Sequence, residues 1–135
     1  MINSTKKKNL ITIDIWKSCI KNNNTKHLSE IISNEIVFFS PVVHTPQKGK
    51  ELALKYLTTA IKILHKSNFS YIRQIYHTNQ VILEFNCILG KIKVNGIDII
   101  ELDNDFKIKH FKVFIRPLKG LNTIWKKMET ELIKY

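Results

Sequence analysis

The period of the apolar residues changes once along the chain, at Asn68, and that change limits the folds open to it. Before it, Leu52, Ala53, Tyr56, Leu57, Ala60, Ile63 and Leu64 recur one or three positions apart, which is a helix with one buried stripe. After it the period is two, over runs 69–77, 81–89, 94–102 and 107–116. The links between these runs, 78–80, 90–93 and 103–105, are too short for crossovers, so the runs are expected to pair as antiparallel neighbours in a meander. With 135 residues, one domain over 1–135 is expected.

The flanking segments complete the pattern. Residues 10–20 fit either a strand, through Ile11, Ile13 and Ile15, or a helix, through Leu10, Ile13, Trp16 and Ile20. After the Asn22-Asn23-Asn24 run, Leu28, Ile31 and Ile32 predict a short second helix within 25–33. Residues 35–40 (EIVFFS) read as a strand that stops at Pro41 and leads into a loop over 42–48. This strand is expected to join the sheet at an edge. Pro117 ends the last run of the meander, and Leu118, Leu121, Trp125, Met128 and Leu132 form the stripe of a closing helix. Helices first, a meander after them and one separate strand make an α+β fold.

Parity assigns faces within the meander. Leu83, Phe85, Cys87 and Leu89 share one face, as do Phe111, Val113 and Ile115, and these sets face the helices. Asp98 lies on the same face as Ile100 and Leu102, so a carboxylate is expected to face inward. Burial there raises its pKa unless a partner holds the charge. His77 shares parity with Tyr71, Arg73 and Ile75, and a one-residue bulge would reverse it.

Charge bears on partners. The net charge is +11, but 20 of the 22 basic residues are lysine, and arginine is the residue that grips phosphate and guanine with two hydrogen bonds. The lysines are scattered along the chain rather than gathered in one segment, so nucleic acid is not the expected partner. Ile, Lys and Asn abound while alanine occurs twice, a bias of the kind an A/T-rich coding sequence produces. No apolar stretch is long enough to span a membrane, and no membrane partner is expected. Cys19 and Cys87 belong to no metal-ligand spacing and read as reduced core residues. The KKK run before LITIDIW imitates a signal peptide, but Asp14 interrupts the apolar stretch and no cleavage site follows, so a cytoplasmic location is expected. Zinc motifs, phosphate-cradling glycine loops and nucleophile elbows are missing, and no metal or cofactor is implied.

The segments FFSPVVHTP, KGK opening a helix, GIDIIELDNDFKI and VFIRPLKGL, in that order, resemble the SnoaL-like branch of the nuclear-transport-factor-2-like superfamily over about residues 10–128. The resemblance implies a cone: a curved antiparallel sheet wrapped around helices, with a mostly apolar pocket at its open end. It implies that 10–20 is helical. It also implies a homodimer through the outer sheet face, where Ile97, Ile99 and Phe114 need cover and Phe114 and Arg116 are expected at or near the contact.

Members of this superfamily include ketosteroid isomerase, polyketide cyclases, limonene-epoxide hydrolase, dehydratases and silent binding modules. In ketosteroid isomerase a general-base aspartate works with an oxyanion hole of tyrosine and protonated aspartic acid. The resemblance places the oxyanion aspartate at Asp98 and puts Ser40 where the base would stand. A serine hydroxyl does not take a carbon acid's proton without an adjacent base, which argues against that reaction. The hydrolase's Asp-Arg-Asp arrangement is not matched around Arg73 or Arg116.

The expected site therefore consists of Asp98 and His44 as candidate acid/base groups, with Trp16, Ser40, Tyr56, His77 and Phe111 as candidate ligand contacts. The expected function is binding of a small hydrophobic molecule. The alternative is an acid/base enzyme of the isomerase, cyclase or dehydratase kind working through Asp98 and His44.

Overall fold

A computed structural model describes residues 3–133. Helix α1 (Ser4–Asn22) is capped by Asn3, whose side chain accepts from the Lys6 N–H, and it ends at Asn23 in the left-handed region. Strand β1 (Ile32–Phe39), the two-residue strand β2 (Gln47–Lys48) and helix α2 (Lys50–His65) follow. The meander is β3 (Ser70–His77), β4 (Gln80–Leu89), β5 (Ile92–Leu102) and β6 (Ile108–Arg116), and α3 (Leu118–Leu132) closes the fold.

The six strands form one curved sheet in the order β2-β1-β6-β5-β4-β3, antiparallel throughout except that β1 runs parallel to β6. One expectation needs correction and one a qualification. Between 25 and 33 only a four-residue 3-10 turn forms, Leu28–Ile31, and Ile32 and Ser33 already belong to β1. Ile32, Ile36 and Phe38 are all buried along that strand, and a single tight turn is enough to seat Leu28 and Ile31 beside them. The first strand joins the meander at its β6 edge, as expected, but it is not left as the outermost strand of the sheet. The chain folds back after Pro41 so that Gln47 and Lys48 pair with Phe38 and Val37 and cover the rim of β1.

The core forms where the concave face of the sheet meets the helices. Ile13, Trp16 and Ile20 of α1 and Ala53, Leu57 and Ile61 of α2 pack with Val81, Leu83, Ile100 and Phe111 of the sheet. Each of the larger aliphatic and Phe side chains among these contributes about 1.5–3 kcal/mol by leaving water. A second cluster, Phe85, Cys87, Leu89, Val94 and Ile124, lies under α3. No described helix is long and apolar enough to cross a membrane.

One irregularity sets the site. The pairing of β3 with β4 shifts between Tyr71 and Arg73, so Ile72 is an extra residue. Tyr71 stands opposite the inward Phe85, whereas Arg73, Ile75 and His77 stand opposite Glu84, Ile82 and Gln80 on the outer face. Gln74 and Tyr76 take over the inward positions, opposite Leu83 and Val81.

Candidate functional site

Between the helices and the concave sheet face lies a cavity of about 60 Å³, counted as room for the centre of a water-sized sphere. All three helices and four of the strands supply its wall, with Trp16 from α1, Phe38 from β1, Tyr56 and Leu57 from α2, Phe85 from β4, Asp98 from β5, Phe111 and Val113 from β6, and Ile124, Trp125 and Met128 from α3. A water molecule needs about 10–15 Å³ on this measure, so the space holds a handful of waters or a molecule of about one ring. Edge-on packing of Trp16 on Phe111, with centroids 4.8 Å apart, and the tilted contact of Phe38 with Tyr56, at 5.7 Å, stiffen the aromatic side of the wall.

Asp98 is the carboxylate in this wall, and it is 5% exposed. It ends a chain of donors. The Trp16 Nε1–H donates to the Tyr71 hydroxyl oxygen at 2.8 Å, and the Tyr71 O–H donates to Asp98 Oδ2 at 2.5 Å. Burial pushes the Asp98 carboxyl up to about 7, against the opposing pull of the Tyr71 hydrogen bond. The phenol of Tyr71 is driven well above its ordinary value, first by burial and then by the neighbouring carboxylate. Tyr71 therefore remains a neutral donor while Asp98 divides between acid and carboxylate near neutral pH. Tyr71 donates to Oδ2, and Oδ1 has no hydrogen-bond donor among the described residues.

The structure brings together Asp98, Trp16, Ser40, Tyr56 and Phe111, all on the cavity wall. Ser40 is partly committed elsewhere, since its Oγ accepts the Val42 N–H at 3.2 Å and shapes the turn after β1. Two expected members do not join them. His44 is exposed in the loop between β1 and β2, outside the wall, because the chain turns away at Pro41 to pair β2 with β1. His77 is exposed on the outer sheet face, because the extra residue at Ile72 reverses parity after Tyr71.

The residue the sequence reading passed over is Tyr71, which strict alternation had grouped with Arg73 and His77. The signal for it was the pair Tyr71 and Tyr76, two aromatic residues of opposite parity in one strand, which only an inserted residue can bring to the same face.

No protein-family model matches the sequence, and no curated protein matches it significantly. Solved structures do. A steroid delta-isomerase from Pseudomonas aeruginosa is 29% identical, with a TM-score of 0.88 over 95% of this chain and 93% of that one. An uncharacterised protein with a cystatin-like fold from Silicibacter pomeroyi is 22% identical, with a TM-score of 0.81 over 88% of this chain and 83% of that one. An epoxide hydrolase/cyclase-like enzyme of pyran-ring formation in salinomycin is 12% identical, with a TM-score of 0.67 over 82% of this chain and 92% of that one. With further structures described as NTF2-like among the matches, the chain has the cystatin-like α+β fold of the nuclear-transport-factor-2-like proteins.

Proposed function

We propose that this protein binds a small, mainly apolar molecule of about one ring in its cone, with one polar atom of the ligand at Asp98. The observation that carries this reading is a cavity with aromatic and aliphatic walls and one buried carboxyl at its polar end. The chain's two tryptophans, Trp16 and Trp125, both line that cavity, so intrinsic fluorescence reports occupancy directly. Cyclohexanone and cyclohexanol are expected to change the emission saturably, and Ala60→Leu, which fills space at the wall, is expected to abolish the response. A response that survives Ala60→Leu unchanged would place binding elsewhere.

A second reading is an acid/base enzyme of the isomerase, cyclase or dehydratase kind. It is favoured by a carboxyl poised near neutrality and by the likeness to a steroid delta-isomerase. With His44 in an exposed loop, the work would fall to Asp98 alone. A one-ring β,γ-unsaturated ketone discriminates the readings. Conversion to the conjugated ketone that is lost in Asp98→Asn supports the enzyme, and binding without conversion supports the binder.

Assembly through the outer sheet face belongs to the same proposal. Ile97 pairs across strands with Phe114, Ile99 with Ile82, and Ile82 with Ile75, giving a contiguous apolar patch in which Phe114 is 54% exposed. A second copy turned about a two-fold axis would cover it, with Phe114 and Arg116 at the contact. Light scattering is expected to give twice the chain mass of 15.8 kDa, and Phe114→Glu is expected to return it to one chain. A wild-type mass of one chain at micromolar concentration would contradict the dimer. The unpaired, buried Cys19 and Cys87 fit the cytoplasmic setting we propose, and lysines spread along the chain support a small-molecule partner over nucleic acid.

A further inference from the structure

Resting on the pocket reading above, we infer that the cone selects a protonated amine carried on a one-ring apolar body, with the ammonium N–H on Asp98 Oδ1 and the ring against the aromatic wall. The hydrogen-bond inventory carries the inference. A carbonyl or carboxylate ligand at Asp98 needs donors beside it, and the two donors of the chain that ends there are spent inside the protein, the Trp16 N–H on Tyr71 and the Tyr71 O–H on Asp98, while the remaining donors of the wall belong to Ser40, Tyr56 and Trp125 on other elements. Once Asp98 is ionised, what it has left over is an acceptor, its second oxygen, and an acceptor calls for a ligand that donates.

The charges around the cavity agree. Its wall holds no lysine, arginine or histidine, although the chain as a whole carries +11. Facing Asp98 are Tyr71 from β3 and the apolar Leu83 and Val113 on the neighbouring strands, while Tyr56 of α2 is the other ionisable side chain of the wall. Lys17 of α1 lies over the Tyr71 ring, 6.0 Å from its centroid, and its Nζ donates to Gln74. An anion entering this space finds no countercharge, whereas a cation finds a carboxylate and several aromatic side chains. Trp16, Phe38, Tyr56, Phe85, Phe111 and Trp125 present the aromatic surface on which an organic cation is stabilised.

Linkage makes the occupant identifiable. A cation binds the ionised form of Asp98, so its affinity rises with pH through the titration near 7. A neutral acceptor binds the protonated form, and its affinity falls over the same range. Isothermal titration calorimetry of the full chain with cyclohexylamine, cyclohexanone and cyclohexanecarboxylate, at pH 6 and 8.5 in buffers of different ionisation heat, separates these cases. Cyclohexylamine stays charged at both values. Its binding is expected to tighten about tenfold between pH 6 and 8.5, as the competent fraction rises from about a tenth to nearly all. About one proton should be released per amine bound at pH 6 and almost none at pH 8.5. Asp98→Asn is expected to remove both the pH dependence and the preference for the amine. Because the proton release is read on the wild-type chain, the test stands even if the variant folds poorly. If cyclohexanone binds as tightly as the amine at pH 8.5, or takes up a proton there, the amine inference fails and the pocket reading survives. If none of the three binds, both fail.

Discussion

Gly96→Ala is expected to cost about 3 kcal/mol or more, a large part of the stability of a chain this size. A Cβ at Gly96 would stand 2.2 Å from Cζ and 2.6 Å from Cε2 of Phe85, and 2.8 Å from the carbonyl oxygen of Phe114. Neither neighbour yields cheaply. Phe85 is 2% exposed, stacked on Phe69 at 5.0 Å and edge-on to Tyr71 at 6.2 Å, and the Phe114 backbone sits directly across the β5–β6 pairing at Ile97. Displacing Phe85 also pushes on Tyr71, the residue that holds Asp98, so the damage reaches the cavity. Gly120→Ala is the milder case for comparison: its Cβ would come closer than 3 Å to one Val94 methyl alone, at 2.8 Å, and meets no strand backbone. Urea midpoints should separate the two variants widely. Equal shifts would mean that the sheet is looser around Phe85 than its packing indicates.

Asp98→Asn should stabilise the chain above neutral pH, although it removes a candidate functional group. The folded-state pKa of Asp98 is raised from 3.8 to about 7, so the folded chain holds a proton that the unfolded chain has released between those values. The Asp98 contribution to stability is therefore full below about pH 4, falls as pH rises towards 7, and is level above it. The shift corresponds to about 4 kcal/mol as an upper limit, lessened by whatever water enters the cavity. Asparagine keeps an acceptor for the Tyr71 O–H and carries no charge to desolvate. Glu84 and Glu101, whose carboxyls are held below the usual glutamate value by Arg73 and by His110 and Lys109 respectively, act in the opposite sense at lower pH. The difference between wild type and Asp98→Asn, measured by urea unfolding from pH 5 to 8.5, isolates the Asp98 contribution. It should grow with pH up to about 7. A difference that is constant across this range would show that Asp98 ionises as freely folded as unfolded.

Most of the fold was legible because the two periodicities are clean. The stripe from Leu52 to Leu64 and the alternation in β4, β5 and β6 predict elements and faces together, and Asp98 falls on the inward face by parity alone. Places where backbone geometry departs from a period were not legible. The extra residue at Ile72 turned His77 outward and Tyr71 inward, and nothing in SYIRQIYH marks the shift except its two tyrosines. The fold-back after Pro41, which carries His44 away from the cavity and makes β1 an interior strand, depends on pairing between Phe38 and Gln47 across a loop. The cavity contacts made by α3 depend on how that helix settles against α2 and β6, which the stripe of Trp125 and Met128 does not determine. The site was thus half-read: its carboxyl and its aromatic residues were found, and the phenol that holds the carboxyl was not.

The account rests on Asp98 being a buried carboxyl, held by Tyr71 and facing an apolar cavity. The ¹³C resonance of its carboxyl carbon, assigned by its disappearance in Asp98→Asn and followed from pH 3 to 9, reads that environment directly. A midpoint near 7 is the expected result. A midpoint near 4, where a solvated aspartate titrates, would contradict the account.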